Sequence, residues 1–144
     1  MPDVTTKNRT VLAAIEIFRG LPEKELKRLE QLARERVFNA GDTIVEEGKT
    51  GVALFVILSG KVRVTQKTRD GQEREIRTLG PGDSFGEMAL FNNRPRSATV
   101  SAVEQTTCLA IHQFDFIDEL RKSPEIAIKL LDTLSQRLVD AERR

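Results

Sequence analysis

Residues 53–83 read ALFVILSGKVRVTQKTRDGQEREIRTLGPGD, and this stretch decides the fold class. Ala53 to Leu58 is a continuous apolar run closed by the Ser59-Gly60 turn. Lys61 to Lys67 alternates strictly between polar and apolar, the period of a half-buried strand. Asp70-Gly71 supplies a residue pair favoured in tight hairpins, so Glu73 to Leu79 returns as the partner strand. Gly80-Pro81-Gly82-Asp83 turns the chain again.

The pattern extends in both directions. Upstream, Gly41-Asp42 and Glu47-Gly48 bracket a short strand, Thr43 to Glu46. Downstream, an apparent strand end at Ser84-Phe85 is followed by two more strands, Ala98 to Val103 and Thr107 to His112. Many short strands separated by glycine turns imply a β-roll or barrel. Helices flank it. Apolar residues at 11, 12, 15 and 18 predict a helix over Thr10 to Phe18, preceded by a tail over residues 1–9. Leu21-Pro22-Glu23 starts a second helix, with proline in its first turn and an apolar stripe through about Arg34. Gln113 to Arg121 is a third. Ser123-Pro124 opens a fourth over 124–142, with Ser123 as N-cap and Pro124 at the first position. Ala127, Leu131, Leu134, Leu138 and Ala141 form a heptad seam along it. That stripe either packs on the β-roll or meets a second copy of the chain.

Composition narrows the function. The 144 residues suit one domain, and 23 basic against 22 acidic side chains leave a net charge of +1. No overall field draws the chain to nucleic acid or anionic membrane, so any anion site is local. Cys108 and His112 are the sole cysteine and histidine, which excludes an intrachain disulfide and any His or Cys cluster for a metal. They read as a buried thiol and a strand-end surface histidine. There is no long apolar span and no apolar leader at the polar N-terminus, so a cytoplasmic location is expected, with no membrane partner.

Residues 85–99, FGEMALFNNRPRSAT, carry the chemistry. Gly86 opens a short helix through about Leu90, and a helix N-terminus offers backbone N–H groups to an anion. Glycine there lets the anion approach closely. Arg96, after a loop stiffened by Pro95, brings a planar fork of donors that suits a phosphodiester. Glu87 would repel a phosphate but can accept from a neighbouring hydroxyl. One acid and one base beside a helix N-terminus suit a ligand with both a hydroxyl and a phosphate.

FGEMAL followed by RPRSAT resembles the phosphate-binding cassette of the cyclic-nucleotide-binding domain family. Leu58-Ser59-Gly60-Lys61-Val62 and the run from Leu79 to Glu87 support the likeness, which covers about residues 10–142. It implies an eight-stranded β-roll with N-terminal helices, a short phosphate-binding helix and two C-terminal helices. It also implies roles: Glu87 takes the ribose 2′-OH, and Gly86, Met88 and Ala89 lend backbone groups to ribose and cyclic phosphate. Arg96 pairs with the phosphate charge, Ser97 adds its hydroxyl and N–H, and Phe85 and Ala98 complete the cassette's ligand-binding set. Val62 and Val64 line the apolar side of the base pocket, with Arg77, across the sheet, a further candidate for the base.

In the family a Thr after the cassette Arg favours cyclic GMP, whereas Ser97 is the residue usual in bacterial cyclic-AMP-responsive regulators. The resemblance therefore implies cyclic AMP ahead of cyclic GMP, and no other cofactor. A Thr-Ser pair on the last helix of the best-known regulators touches adenine; here the matching stretch is Ala141-Glu142. Arg137, one turn earlier, is placed to cap or stack on the purine instead. The expected mechanism is inward movement of Arg96 and the 86–91 segment on binding, with the last helix repacking as a lid.

Rival readings have their own signatures. A helix-turn-helix transcription regulator would continue beyond Arg144, so this chain alone is not expected to bind DNA, and it is either a free-standing sensor or a piece of a regulator, channel or kinase. A degenerate, non-binding interaction domain would keep the fold and lose the Glu or Arg; both are present. A cupin-like metalloenzyme needs two or three histidines, and a phosphodiesterase needs a metal cluster or nucleophile–base pair, so no enzyme is expected.

Overall fold

Two four-stranded antiparallel sheets carry the strands in a computed structural model that describes residues 4–143. The strands are β1 (Arg34–Phe38), β2 (Thr43–Val45), β3 (Ala53–Ser59), β4 (Val62–Lys67), β5 (Glu73–Leu79), β6 (Ser84–Phe85), β7 (Thr99–Ala102) and β8 (Thr106–His112). One sheet runs β1-β8-β3-β6, the other β2-β7-β4-β5. The mainly-β architecture is the eight-stranded roll expected.

Alternation explains the packing. On β4, Val62 and Val64 are buried while Arg63 between them is exposed. The apolar run of β3 is buried on both faces: Ala53, Phe55 and Ile57 enter the interior cluster, and Leu54 and Val56, pointing oppositely, are buried too. That interior joins Phe38, Phe55, Ile57, Phe85, Cys108 and Ala110 of one sheet to Val62, Val64, Val100 and Ala102 of the other. At the hairpin between β4 and β5, Gly71 takes φ 84° and Thr68 donates its N–H to the Gln72 carbonyl at 2.7 Å, as Asp70-Gly71 predicts.

The strand β1 is absent from the sequence reading. Four of its five residues are exposed, so RERVF shows no alternation; pairing with β8, from Arg34↔Ala110 to Phe38↔Thr106, makes it a strand.

The chain divides into two compact units, Ala33–Gln113 and Met1–Leu32 with Phe114–Arg144. The second holds α1 (Val4–Ala13), a 3₁₀ turn at Glu16–Phe18, α2 (Glu23–Leu32), most of α3 (Gln113–Lys122) and α4 (Pro124–Glu142). Several boundaries differ from expectation. The helix expected over Thr10–Phe18 is two pieces, because the chain turns extended at Ile15. Its apolar stripe is met all the same, with Leu12, Ile15, Ile17 and Phe18 buried. Residues 4–9, expected as tail, are the start of α1; residues 1–3 lie outside the described set. Helix α2 stops at Leu32, since Arg34 enters β1. Pro22 stands just before it, its carbonyl accepting from the N–H groups of Glu25 and Leu26 at 3.1 Å each.

Ser123 precedes α4 as expected, but its hydroxyl does not cap the helix. It faces Arg28 and donates to Glu119 Oε1 at 3.2 Å, so an ion-pair network claims it. Helix α4 matches the predicted 124–142. Its buried positions are Ile126 and Leu130, off the heptad seam, whereas Leu131 and Leu138 are each 66% exposed.

Candidate functional site

The site grows out of the end of β6. Phe85 is buried and its ring stacks on Phe55 of β3, which fixes where the strand stops. Gly86 follows at φ 81°, a left-handed conformation that L side chains rarely adopt. The chain then makes a 3₁₀ turn over Glu87–Leu90 that packs on β3 and buries Ala89 and Leu90. Met88 points outward, 51% exposed. The N–H of Ala89 is already donated to the Gly86 carbonyl at 3.0 Å.

The far wall is set by the backbone around Arg96. The Arg96 N–H donates to the Lys49 carbonyl, and its own carbonyl accepts from Gly48 N–H, both at 2.8 Å. This holds the side chain against the β2–β3 connection. Its Nη2 donates to the Ala53 carbonyl at 2.7 Å, while its Nε is buried with no hydrogen-bond partner. Burial pushes the guanidinium's pKa below its ordinary value. A partly buried cation with an unpartnered Nε is a group that an anion can complete.

Gly86 is what permits this closeness. A Cβ built there would lie 2.3 Å from Arg96 Nη1 and 2.8 Å from the Ala53 carbonyl oxygen. The segment ends at Ser97, whose exposed residue is anchored through its carbonyl by Gln66 Nε2 at 2.9 Å.

The structure brings together much of the expected set. Phe85, Val62 and Val64 share the interior cluster with Ala98 packed against it, and Gly86 abuts Arg96. Glu87 is half-buried at the start of the turn. Arg77 pairs across the ladder with Val64, so both side chains take the same face of the sheet. Val64 is buried there and Arg77 exposed. Arg137 lies in the helical unit, where its Nε pairs with Glu16 at 3.4 Å. Sequence reasoning missed Gly51, Ala53 and Gln66. Ala53 acts through a carbonyl and Gln66 through a side chain on an ordinary alternating strand, so neither left a signal. Gly51 left one, a glycine outside any turn pattern.

Among the described residues no group of three or more His, Cys, Asp or Glu is placed to hold a metal ion. No helix among them is long and apolar enough to cross a membrane.

Residues 35–123 match the family model described as a cyclic nucleotide-binding domain. The cyclic AMP receptor protein of Thermus thermophilus is 37% identical over 126 residues, covering 88% of this chain and 58% of that protein. The mouse cGMP-dependent protein kinase 2 is 35% identical over 122 residues, 79% of this chain and 16% of the kinase. The chain thus spans well under two thirds of either relative. Among solved structures, the N-terminal domain of a transcriptional regulator from Streptomyces coelicolor A3(2) superposes with a TM-score of 0.86 at 32% identity, covering 92% of this chain and 93% of that one.

Proposed function

Because the chain belongs to the cyclic nucleotide-binding domain family, a regulatory family, we propose that it senses 3′,5′-cyclic AMP in preference to cyclic GMP. The observation that carries this reading is the half-buried Arg96 guanidinium beside Gly86, its Nε without a hydrogen-bond partner, with the acid Glu87 at the start of the same turn. The cyclic phosphate meets Arg96 and the backbone after Gly86, with the Ser97 hydroxyl beside it. The ribose 2′-OH donates to Glu87. The purine lies along Val62 and Val64, with Arg77 at the rim. Ser97, rather than the threonine that the family uses for guanine, supports the adenine base, as does the name of the Thermus relative.

The same reading makes α4 the output. Its exposed Leu131 and Leu138 support association of two copies through this helix. The bound nucleotide shifts α4, with Arg137 leaving Glu16 to reach the purine, by as much as ligand affinity differs between the two arrangements. Arg96 already stands against Ala53, so less inward movement is asked of it than of α4. A sensor of this kind works where the nucleotide is made, in the cytoplasm, and we assign no DNA contact to these residues.

Calorimetric titration with cyclic AMP and cyclic GMP tests the proposal directly, since the chain has no Trp or Tyr to report binding by fluorescence. Tight binding of cyclic AMP with weaker cyclic GMP is expected. Equal or reversed affinities would remove the base assignment, and silence with both, checked by a second method, would remove the sensor.

A further inference from the structure

We propose that Gly51 is a positioning residue for the nucleotide's phosphate, present because only a residue without a side chain leaves the Arg96 guanidinium its place. This rests on the proposed cyclic-nucleotide site and deepens it. Gly51 belongs to the connection between β2 and β3, and nothing in its backbone demands glycine: it is not among the glycines at positive φ. The demand comes from outside. A Cβ built at 51 would stand 1.7 Å from Arg96 Nε, 2.2 Å from Cζ and 2.4 Å from Nη2. No real contact survives at those distances, and all three nearest atoms belong to that one side chain.

The guanidinium is therefore clamped between two positions that lack a Cβ, Gly86 on one side and Gly51 on the other, with the Ala53 carbonyl holding Nη2. Gly86 is already accounted for by its own backbone and by the approach of the ligand. Gly51 is not, and it faces the Nε that is buried without a partner. Its effect is to let a cation be held, partly stripped of water, before any anion arrives. Preorganised donors of this kind cost little to order when the ligand binds.

The atoms in conflict lie at the far end of a flexible side chain. Gly51→Ala should swing the guanidinium toward water with little cost to the fold, and should take away the ligand's counter-charge. Four proteins decide the matter: wild type, Gly51→Ala, Arg96→Ala and the double variant, each titrated with cyclic AMP by calorimetry and melted without ligand by circular dichroism. Losing a desolvated charge partner weakens binding by about 30-fold or more. We expect a loss of that order in Gly51→Ala with the unliganded melting temperature nearly unchanged, and no further loss on adding Gly51→Ala to Arg96→Ala. Failure of wild type to bind would overturn the site itself and this inference with it. Wild-type binding with undiminished affinity in Gly51→Ala would overturn this inference alone. So would a fall in melting temperature of equal size in both backgrounds, because the glycine would then serve the loop and not Arg96.

Discussion

Phe55 and Phe85 are partners in the β3–β6 ladder, and their rings stack with centroids 5.2 Å apart and planes 16° apart. The strand β6 is only two residues long, and this ring pair anchors it just before Gly86 begins the 3₁₀ turn. Phe85→Ala removes a buried ring from the interior of the roll. Such truncations cost about 3–5 kcal/mol. Urea unfolding followed by circular dichroism should show a loss of that size, and cyclic AMP affinity should fall with it at temperatures where the variant is folded. A loss below about 1 kcal/mol, at the scale of an exposed contact, would mean that the turn is held by something else.

Glu87 and the ribose define a second test. If Glu87 accepts from the 2′-OH, wild type should prefer cyclic AMP to its 2′-deoxy analogue. A hydrogen bond to a charged group is worth about 1.5–3 kcal/mol, on the order of 10- to 150-fold in affinity. Glu87→Gln should lower affinity for cyclic AMP and leave the 2′-deoxy analogue nearly where it was. Parallel losses with both ligands would show Glu87 acting on the turn instead of the sugar.

Arg96→Ala separates binding from folding. The backbone bonds from Arg96 to Lys49 and Gly48 persist in the variant, while a partly buried charge with an unsatisfied Nε is removed. Stability without ligand should stay within about 1 kcal/mol of wild type, since the lost hydrogen bond and packing are offset by the relieved desolvation. At about 100-fold excess over Kd a ligand stabilises its protein by roughly 2.7 kcal/mol. Wild type should show that gain in a melt with cyclic AMP and the variant should not. A variant that melts far lower without ligand would mark Arg96 as a structural residue first.

What was legible in the sequence followed from local chemistry. The run at 53–58, the alternation at 61–67 and the hairpin pair Asp70-Gly71 each fixed a strand or turn, because side-chain burial there obeys one period. Gly86 and Arg96 stood out because glycine's backbone freedom and a planar fork of donors belong to those residue types. The strand β1 was hidden, since its pairing with β8 owes nothing to its own hydrophobicity. Ser123 misled for a similar reason: a residue spaced as a cap is claimed by Arg28, 95 positions away in sequence, together with the nearby Glu119. Gly51 needed the structure, for its reason lies 45 positions along the chain in Arg96.

The exposed face of α4 gives a fourth test. The helix buries Ile126 and Leu130, so its fold does not depend on Leu131 and Leu138, each 66% exposed. Leu138→Glu should therefore leave the unfolding midpoint nearly unchanged and convert a dimer into a monomer in sedimentation velocity. Wild type that sediments as a monomer with and without cyclic AMP would remove the seam from the mechanism.

Cys108 supplies a test that depends on pH. Its side chain is fully buried in the interior of the roll, and burial pushes the thiol's pKa up from 9.0 to about 11, with the charge of Arg36, its ladder partner on β1, opposing the shift. In the unfolded chain the thiol ionises near its ordinary value, so above that pH the unfolded state loses its proton first. The folded state then binds more protons than the unfolded one, and stability falls as pH rises. The stabilisation is complete below pH 9.0 and is lost as pH climbs through about 11. Lysines titrate in the same window, which makes Cys108→Ala the needed reference. The urea midpoint of wild type should drop relative to that variant between about pH 8 and about pH 10.5, and below about pH 8 the difference should be constant. Parallel curves across the whole range would show that the thiol reaches water in the folded protein, and that the interior of the roll around Cys108 is looser than its packing indicates.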